Sequence, residues 1–186
     1  MITKTHLGEN QISEIADSWL SLQHHPNSDL EHFLLVCRLR KEVISPWAFS
    51  VWRDGQIQAI VAGRIEEIVS RPRIGYLKLP GLRLKCLTII HEGILGELDR
   101  EGGEALVYAL HSMLKRGEVE MVSFHHLQEK HTALWEALKS YSGPSIGISD
   151  PNWSIHRALS ISGSSCVDSI PVKDTTSKTN WLSSYL

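Results

Sequence analysis

At 186 residues the chain is long enough for one domain with a substantial core, and it is too short for two typical domains together with an irregular C-terminal tail. Its 19 basic and 21 acidic side chains give a formal net charge of −2, which argues against nucleic acid or an anionic membrane as a partner. No apolar run reaches the roughly 20 residues that span a bilayer, and the N-terminus lacks the apolar region of a signal peptide, so we expect a cytoplasmic protein.

Two helices are predicted ahead of the main sheet. After a short strand near Ile2 to His6, apolar residues recur at helical spacing from Ile12 to Leu20 and indicate an amphipathic helix. Ser28 followed by Glu31 is typical of a capping box, and a second helix then ends near Lys41.

A hairpin follows these helices. Trp47 to Arg53 and Gln56 to Glu66 are apolar or alternating runs, and Asp54 and Gly55 between them suit the positive φ angles of a tight turn.

The rest of the chain alternates between strands and helices. Gly75 to Leu79 and Cys86 to Ile90 are predicted strands separated by a Pro-Gly turn signal. The later predicted elements are a helix from Glu101 to Lys115, a strand from Val119 to Phe124, a helix from Thr132 to Tyr141 and a strand from Trp153 to Ile161. Residues 162–186 are rich in Ser and Thr and show no period, so we expect a tail or linker with at most a terminal helical turn.

The cysteines and a group of histidines favour structural roles. Cys37, Cys86 and Cys166 are odd in number and widely separated, which predicts buried free thiols and no disulfide. His125 and His126 are neighbours on an extended segment and would point to opposite faces, so we expect no metal site there.

The predicted order β-α-α-β-β-β-α-β-α-β, over residues 1–161, resembles the GCN5-related N-acetyltransferase (GNAT) superfamily. The resemblance implies an α/β (α+β) fold with a mixed, mostly antiparallel sheet flanked by helices. It also implies that the sheet splays open and that the thioester of an acyl-CoA enters the gap. Within the superfamily the chain is most similar to the N-terminal half of double-domain cellulose-biosynthesis or Fem-like acyltransferases. The segments that carry this likeness are W-R-D-G-Q-I-Q-A-I-V-A-G-R-I-E, R-I-G-Y-L-K-L-P and I-I-H-E-G-I-L-G.

The resemblance also suggests where acetyl-CoA or another acyl-CoA would bind. In the superfamily, a turn of the form R/Q-x-x-G-x-G/A holds the pyrophosphate at a helix N-terminus, where free N–H groups and the helix dipole favour an anion. Arg100, Gly103 and Ala105 match this form, and Gly102 lies beside them. The alternative is that Gly102 and Gly103 only loosen the entrance to the helix.

Three residues are candidates for proton transfer. Glu66, at a predicted strand end, could take a proton from an acceptor amine, or it could be a solvated surface charge. His91 and Glu92 follow an apolar strand and could act as base and orienting group, whereas Gly93 beside them could simply shape a loop. Trp135 stands where active relatives carry a tyrosine acid, and it is either a core residue or the mark of a lost proton donor.

Two functions remain open from the sequence. The chain is an N-acyltransferase, or its N-terminal half, that transfers an acyl group from acyl-CoA to a small-molecule amine. Alternatively, it is a noncatalytic GNAT-like module that binds substrate or supports a catalytic partner domain. An exposed sheet edge would favour a homodimer or a partner domain.

Overall fold

The fold is built around one mixed sheet with helices on both faces. The computed structural model describes residues 1–70, 73–74, 77–78, 81–128, 131–141, 147–148, 152–156 and 177–185. The strands in these ranges are β1 (Ile2–Leu7), β2 (Val43–Arg53), β3 (Gln56–Ser70), β4 (Arg73–Ile74), β5 (Leu77–Lys78), β6 (Leu82–Gly96), β7 (Met121–Gln128), β8 (Gly147–Ile148), β9 (Asn152–His156) and β10 (Ser177–Tyr185). The α-helices are α1 (Gly8–Ser13), α2 (Ala16–Leu22), α3 (Leu30–Leu39), α4 (Arg100–Lys115) and α5 (Thr132–Ser140).

The sheet has the strand order β1-β2-β3-β6-β7-β10-β8, and β9 pairs with β10. Strands β4 and β5 form a separate pair. Within the sheet β6 and β7 are parallel, and the other described pairs are antiparallel. The predicted mixed, mostly antiparallel sheet flanked by helices is therefore confirmed.

The hairpin between β2 and β3 is confirmed. Asp54 and Gly55 have φ angles of 52° and 77°, as a two-residue turn with left-handed central residues requires. The ladder that starts there brings Val43 opposite Glu66 at the far end of β2.

Each face of the sheet carries its own core, because successive side chains of a strand point to opposite faces. The core that includes residues of α4 and α5 contains Trp47, Phe49, Val61, Leu87, Ile89, Leu106, Leu110 and Leu134. The core that includes residues of α1, α2 and α3 contains Ile12, Ile15, Trp19, Phe33, Cys37, Ala48, Ile60 and Ile90. Full burial of a large apolar side chain contributes about 1.5–3 kcal/mol, so both layers hold the sheet in place.

The N-terminal helices differ from the prediction. The first helix is split into α1 and α2 by a turn at Glu14 and Ile15. The second begins after Asp29, whose carboxylate accepts the His32 N–H at 2.8 Å. Ser28 is not the cap, because its hydroxyl donates to the His25 carbonyl and it ends a 3₁₀ turn that spans Pro26–Ser28.

The predictions for the middle and the end of the chain are also corrected by the structure. Strand β6 is much longer than the predicted Cys86 to Ile90, and the helix entrance follows it after only three residues, 97–99. Residues 177–185 form β10, so a helical turn is the wrong prediction for them and the sheet includes part of the expected tail. Thr, Trp, Leu and Tyr in this segment suit a strand, although its Ser content is typical of a linker.

Some predictions concern residues outside the described ranges. These are Cys166, part of the predicted strand Gly75 to Leu79, and the last residues of the predicted strand Trp153 to Ile161. In the part of the chain that the structure describes, no helix is long and apolar enough to cross a membrane.

Candidate functional site

The sheet opens between its two parallel strands. Strands β6 and β7 pair over four residues, and the last pair is Ile89 opposite Phe124. Beyond this point β6 continues along β3, and β7 continues along β10. Because each strand keeps its outer partner, a gap forms between the two, as the resemblance implied.

A bulge in β6 lies beside this gap. The pairing with β3 passes from Gly63 opposite Ile89 to Val61 opposite Ile94, which is two residues along β3 and five along β6. The extra residues cannot join the ladder, so β6 bends away from its partner here.

The sequence of the bulge suits its backbone. Glu92 has a φ angle of 55°, which is uncommon for a residue with a side chain. A Cβ on Gly93 would lie 2.7 Å from the Ala62 carbonyl oxygen, so only glycine fits without movement. Glu92 and Gly93 therefore do not form a loop, because they belong to β6, which continues beyond the bulge.

A pocket of about 190 Å³ lies beside the bulge. It is formed by the 3₁₀ turn, α3, β3, β6 and β7, and its lining residues are Asn27, His32, Phe33, Val36, Arg64, Ile90, His91 and His125. A smaller cavity of about 10 Å³, room for roughly one water molecule, lies in the gap and includes Glu92, Phe124, His125 and His131. His125 lines both spaces and thus connects the pocket with the gap.

The 3₁₀ turn holds His91 at the pocket. The Asn27 side-chain Nδ2 lies 3.0 Å from His91 Nδ1, and because an amide nitrogen only donates, Nδ1 accepts. A neutral ring then carries its proton on Nε2. The His25 ring meets the His91 ring edge-on, with 5.4 Å between centroids.

Glu92 lies on the gap side of the bulge. Its side chain is 9% exposed, and its Oε2 is 3.5 Å from His24 Nε2. The predicted pair His91 and Glu92 is therefore divided between the pocket and the gap.

Glu66 is neither a solvated surface charge nor a residue at a strand end. It lies inside β3, accepts from Arg64 Nε at 2.7 Å and accepts from the Thr88 hydroxyl at 2.6 Å. The side chains of Arg64 and Glu66 are 12% and 7% exposed. Both carboxylate oxygens of Glu66 are thus engaged, and the carboxylate holds a guanidinium that lines the pocket. Sequence analysis missed Arg64 and His125 as pocket residues, because nothing local in the sequence signals either one.

The N-terminus of α4 is already capped by an acid. Asp99 Oδ1 accepts the Gly102 N–H at 2.9 Å, and this bond lowers the pKa of Asp99. Arg53 lies 2.7 Å from the other Asp99 oxygen and 3.3 Å from Glu101. Arg100 pairs with Glu104 at 2.9 Å and is 80% exposed.

Close packing accounts for the two glycines at this end of α4. A Cβ on Gly102 would lie 3.0 Å from Leu98 Cδ1, and one on Gly103 would lie 3.3 Å from the backbone of Ala133 in α5. Ala105 packs against the adjacent core. The Asp99 carboxylate already accepts from one N–H group at the start of the helix and would compete with an anion there, and the assignment of Arg100, Gly102, Gly103 and Ala105 to a pyrophosphate site stays a prediction.

Neither the described thiols nor the tryptophan on α5 add chemistry to the site. Cys37 and Cys86 are free and buried, as predicted, and burial raises the pKa of each thiol to about 11. Neither is a nucleophile at neutral pH. Trp135 is half-buried and packs against the α4 and α5 core, which agrees with a core role.

No protein-family model and no curated protein matches the chain. Among solved structures, it is similar to a probable acetyltransferase from Staphylococcus epidermidis, with 10% identity and a TM-score of 0.48 over 98% of both chains. It is also similar to an N-acetyltransferase from Staphylococcus aureus, with 10% identity and a TM-score of 0.49 over 98% of this chain and 97% of the other. Likeness at this level concerns the fold alone. The element order, the mixed sheet and its gap agree with the resemblance to the GNAT superfamily, whereas the likeness to the first half of double-domain proteins stays a prediction.

Proposed function

We propose that this chain is the acceptor-binding half of an acyl-CoA-dependent N-acyltransferase, which transfers an acyl group to an amine. The observation that carries the proposal is the pocket beside the β6 bulge, which shares His125 with the cavity in the gap. In the resembled superfamily this gap receives the thioester, so an amine in the pocket would lie next to the acyl group.

The groups around the pocket suit an amine that must lose a proton. His91 is oriented by Asn27, and Glu92 is nearly buried at the gap. The Glu92 carboxylate can accept a proton from a reacting amine, whereas His91, whose Nδ1 already accepts from Asn27, offers its Nε2–H to the pocket as a donor. Glu66 is assigned a different role, because its two oxygens are engaged by Arg64 and Thr88. We assign it the positioning of Arg64.

We assign the pyrophosphate of the acyl-CoA to another domain or another chain, from which the thioester would enter the gap of this chain. The support is the capped N-terminus of α4, where Asp99 and Glu101 would repel a pyrophosphate and Arg53 is already paired with both. A complete acyltransferase is the second candidate, and the splayed gap between β6 and β7 favours it. This candidate requires that the chain alone binds acyl-CoA.

The acceptor site can be tested by nuclear magnetic resonance of the histidine rings while simple primary amines are added. We expect saturable shifts of the His32, His91 and His125 signals, and weaker binding in His91→Ala and His125→Ala. His111→Ala is the matched control, because His111 lies on α4 and bonds Tyr141 away from the pocket. The proposal would be contradicted if no amine shifted these signals, or if the pocket variants bound the amine as tightly as the wild type.

A further inference from the structure

Arg64 offers the pocket more hydrogen-bond donors than the protein uses. Its Nε donates to Glu66, and among the described residues its two terminal amino groups make no hydrogen bond. They are not sealed in the core either, because the one fully buried side-chain nitrogen or oxygen without a partner in the described part of the chain is Trp47 Nε1. Since Arg64 lines the pocket, these amino groups are open to whatever occupies it.

Holding Arg64 in place costs hydration free energy. A buried ion pair loses the hydration of both charges, and that loss can exceed the attraction between them. Here Glu66 is held by Thr88 on the neighbouring strand and in turn holds one edge of the guanidinium. This arrangement orients the planar group and leaves its far edge for a ligand.

The remaining lining also favours an anion at this point. The described lining residues include three imidazoles and the Asn27 amide, and none of them is a carboxylate. Phe33, Val36 and Ile90 supply an apolar wall. A guanidinium binds a carboxylate through two parallel N–H bonds, which selects this group by geometry as well as by charge.

We propose that Arg64 binds the carboxylate of the acceptor, so that the acceptor is a small amine of amino-acid size that also carries a carboxylate. The inference rests on the proposed acceptor pocket. The pocket volume of about 190 Å³ is smaller than the roughly 300 Å³ of the smallest pockets for drug-sized ligands. A long peptide therefore cannot be enclosed in it. With its carboxylate at Arg64, the amine of such a molecule extends toward His125 and the gap.

The test is calorimetric titration of the full chain with the standard amino acids. Each is compared with the amine that lacks its carboxylate, such as ethylamine for alanine and isobutylamine for valine. We expect at least one amino acid to bind about tenfold or more tightly than its amine, a difference of about 1.4 kcal/mol. Arg64→Lys keeps a positive charge beside Glu66 but loses the two parallel N–H donors of the guanidinium. We expect it to weaken the binding of that amino acid by a similar factor and to leave the binding of the amine unchanged.

Arg83→Lys is the matched control, because Arg83 forms an exposed ion pair with Glu67. Equal binding of the amino acid and its amine, or no effect of Arg64→Lys in a folded variant, would overturn the inference and leave the acceptor pocket standing. Inorganic phosphate that binds as tightly as any amino acid would also overturn it. Failure of every amino acid and every amine to bind would overturn the acceptor pocket as well.

Discussion

Single residues in this chain are fixed by partners that lie far away in the sequence. His91 bonds Asn27 of the 3₁₀ turn, and the Thr88 hydroxyl on the next strand donates to Glu66, which in turn holds Arg64 of its own strand. Because these contacts engage both oxygens of Glu66, we propose that its side chain supports the pocket by holding Arg64. The same logic applies to other buried polar groups, where one hydrogen bond decides the effect of a substitution.

Two fully buried tryptophans differ in whether the indole N–H has a hydrogen-bond partner. Trp19 Nε1 donates to the Ser28 carbonyl at 2.8 Å, whereas Trp47 Nε1 has no partner among the described residues. Phenylalanine cannot donate, so Trp19→Phe leaves a buried carbonyl with one bond fewer, and Trp47→Phe removes an unpaired donor. We expect Trp19→Phe to cost about 1–3 kcal/mol more than Trp47→Phe in urea unfolding. Equal losses would contradict the hydrogen-bond argument.

His6 predicts how stability depends on pH. The ring is 4% exposed and lies 2.9 Å from the Ser50 hydroxyl, and burial is the main cause that lowers its pKa below 6.5. The unfolded chain therefore binds a proton at a higher pH than the folded chain. This contribution to stability is complete above about pH 6.5 and declines as the pH falls, by at most about 1.4 kcal/mol per pH unit.

The measurement is the free energy of unfolding in urea between about pH 7.5 and pH 5. We expect His6→Gln to flatten the decline, whereas His32→Gln, at an exposed position, should leave it in place. A decline that is as steep in His6→Gln as in the wild type would exclude His6 as its source.

Among the elements, β6 determines the site. It pairs with β3 on both sides of its bulge and with β7 only from Cys86 to Ile89, and the bulge brings His91 to the pocket. Local signals predicted the hairpin at Asp54 and Gly55, because a positive φ depends on those two residues alone. They did not predict the length of β6, because a bulge interrupts the alternation that identifies a strand.

Gly93→Ala tests the bulge. Its Cβ would lie 2.7 Å from both the Ala62 carbonyl oxygen and Ile90 Cγ1, so the backbone must move. We expect a loss of stability of about 1–3 kcal/mol, together with weaker ligand binding in the pocket, measured by thermal unfolding and calorimetry. Gly55→Ala is the control, because its Cβ meets nothing within 4 Å and only its φ of 77° adds a cost. A Gly93→Ala protein with unchanged ligand binding would contradict the role of the bulge.

At the scale of the whole molecule, sequence order predicted the fold class, but the site depends on pairing between distant strands. His125 reaches the pocket because β7 lies parallel to β6, and no local signal in either strand indicates this. Asp99 differs, because an acid directly ahead of a predicted helix is typical of an N-cap and can be identified from the sequence alone. The expected homodimer or partner domain stays a prediction, with β1 as a sheet edge that could pair.

The most direct test of the account is calorimetric titration of the folded chain with acetyl-CoA, in the wild type and in Arg100→Ala. The carboxylate that caps α4 predicts no measurable binding in either protein, and we then expect another domain or chain to hold the acyl donor. Micromolar binding by the wild type, weakened about tenfold or more in Arg100→Ala, would contradict the account and establish a working acyl-CoA site at the start of α4.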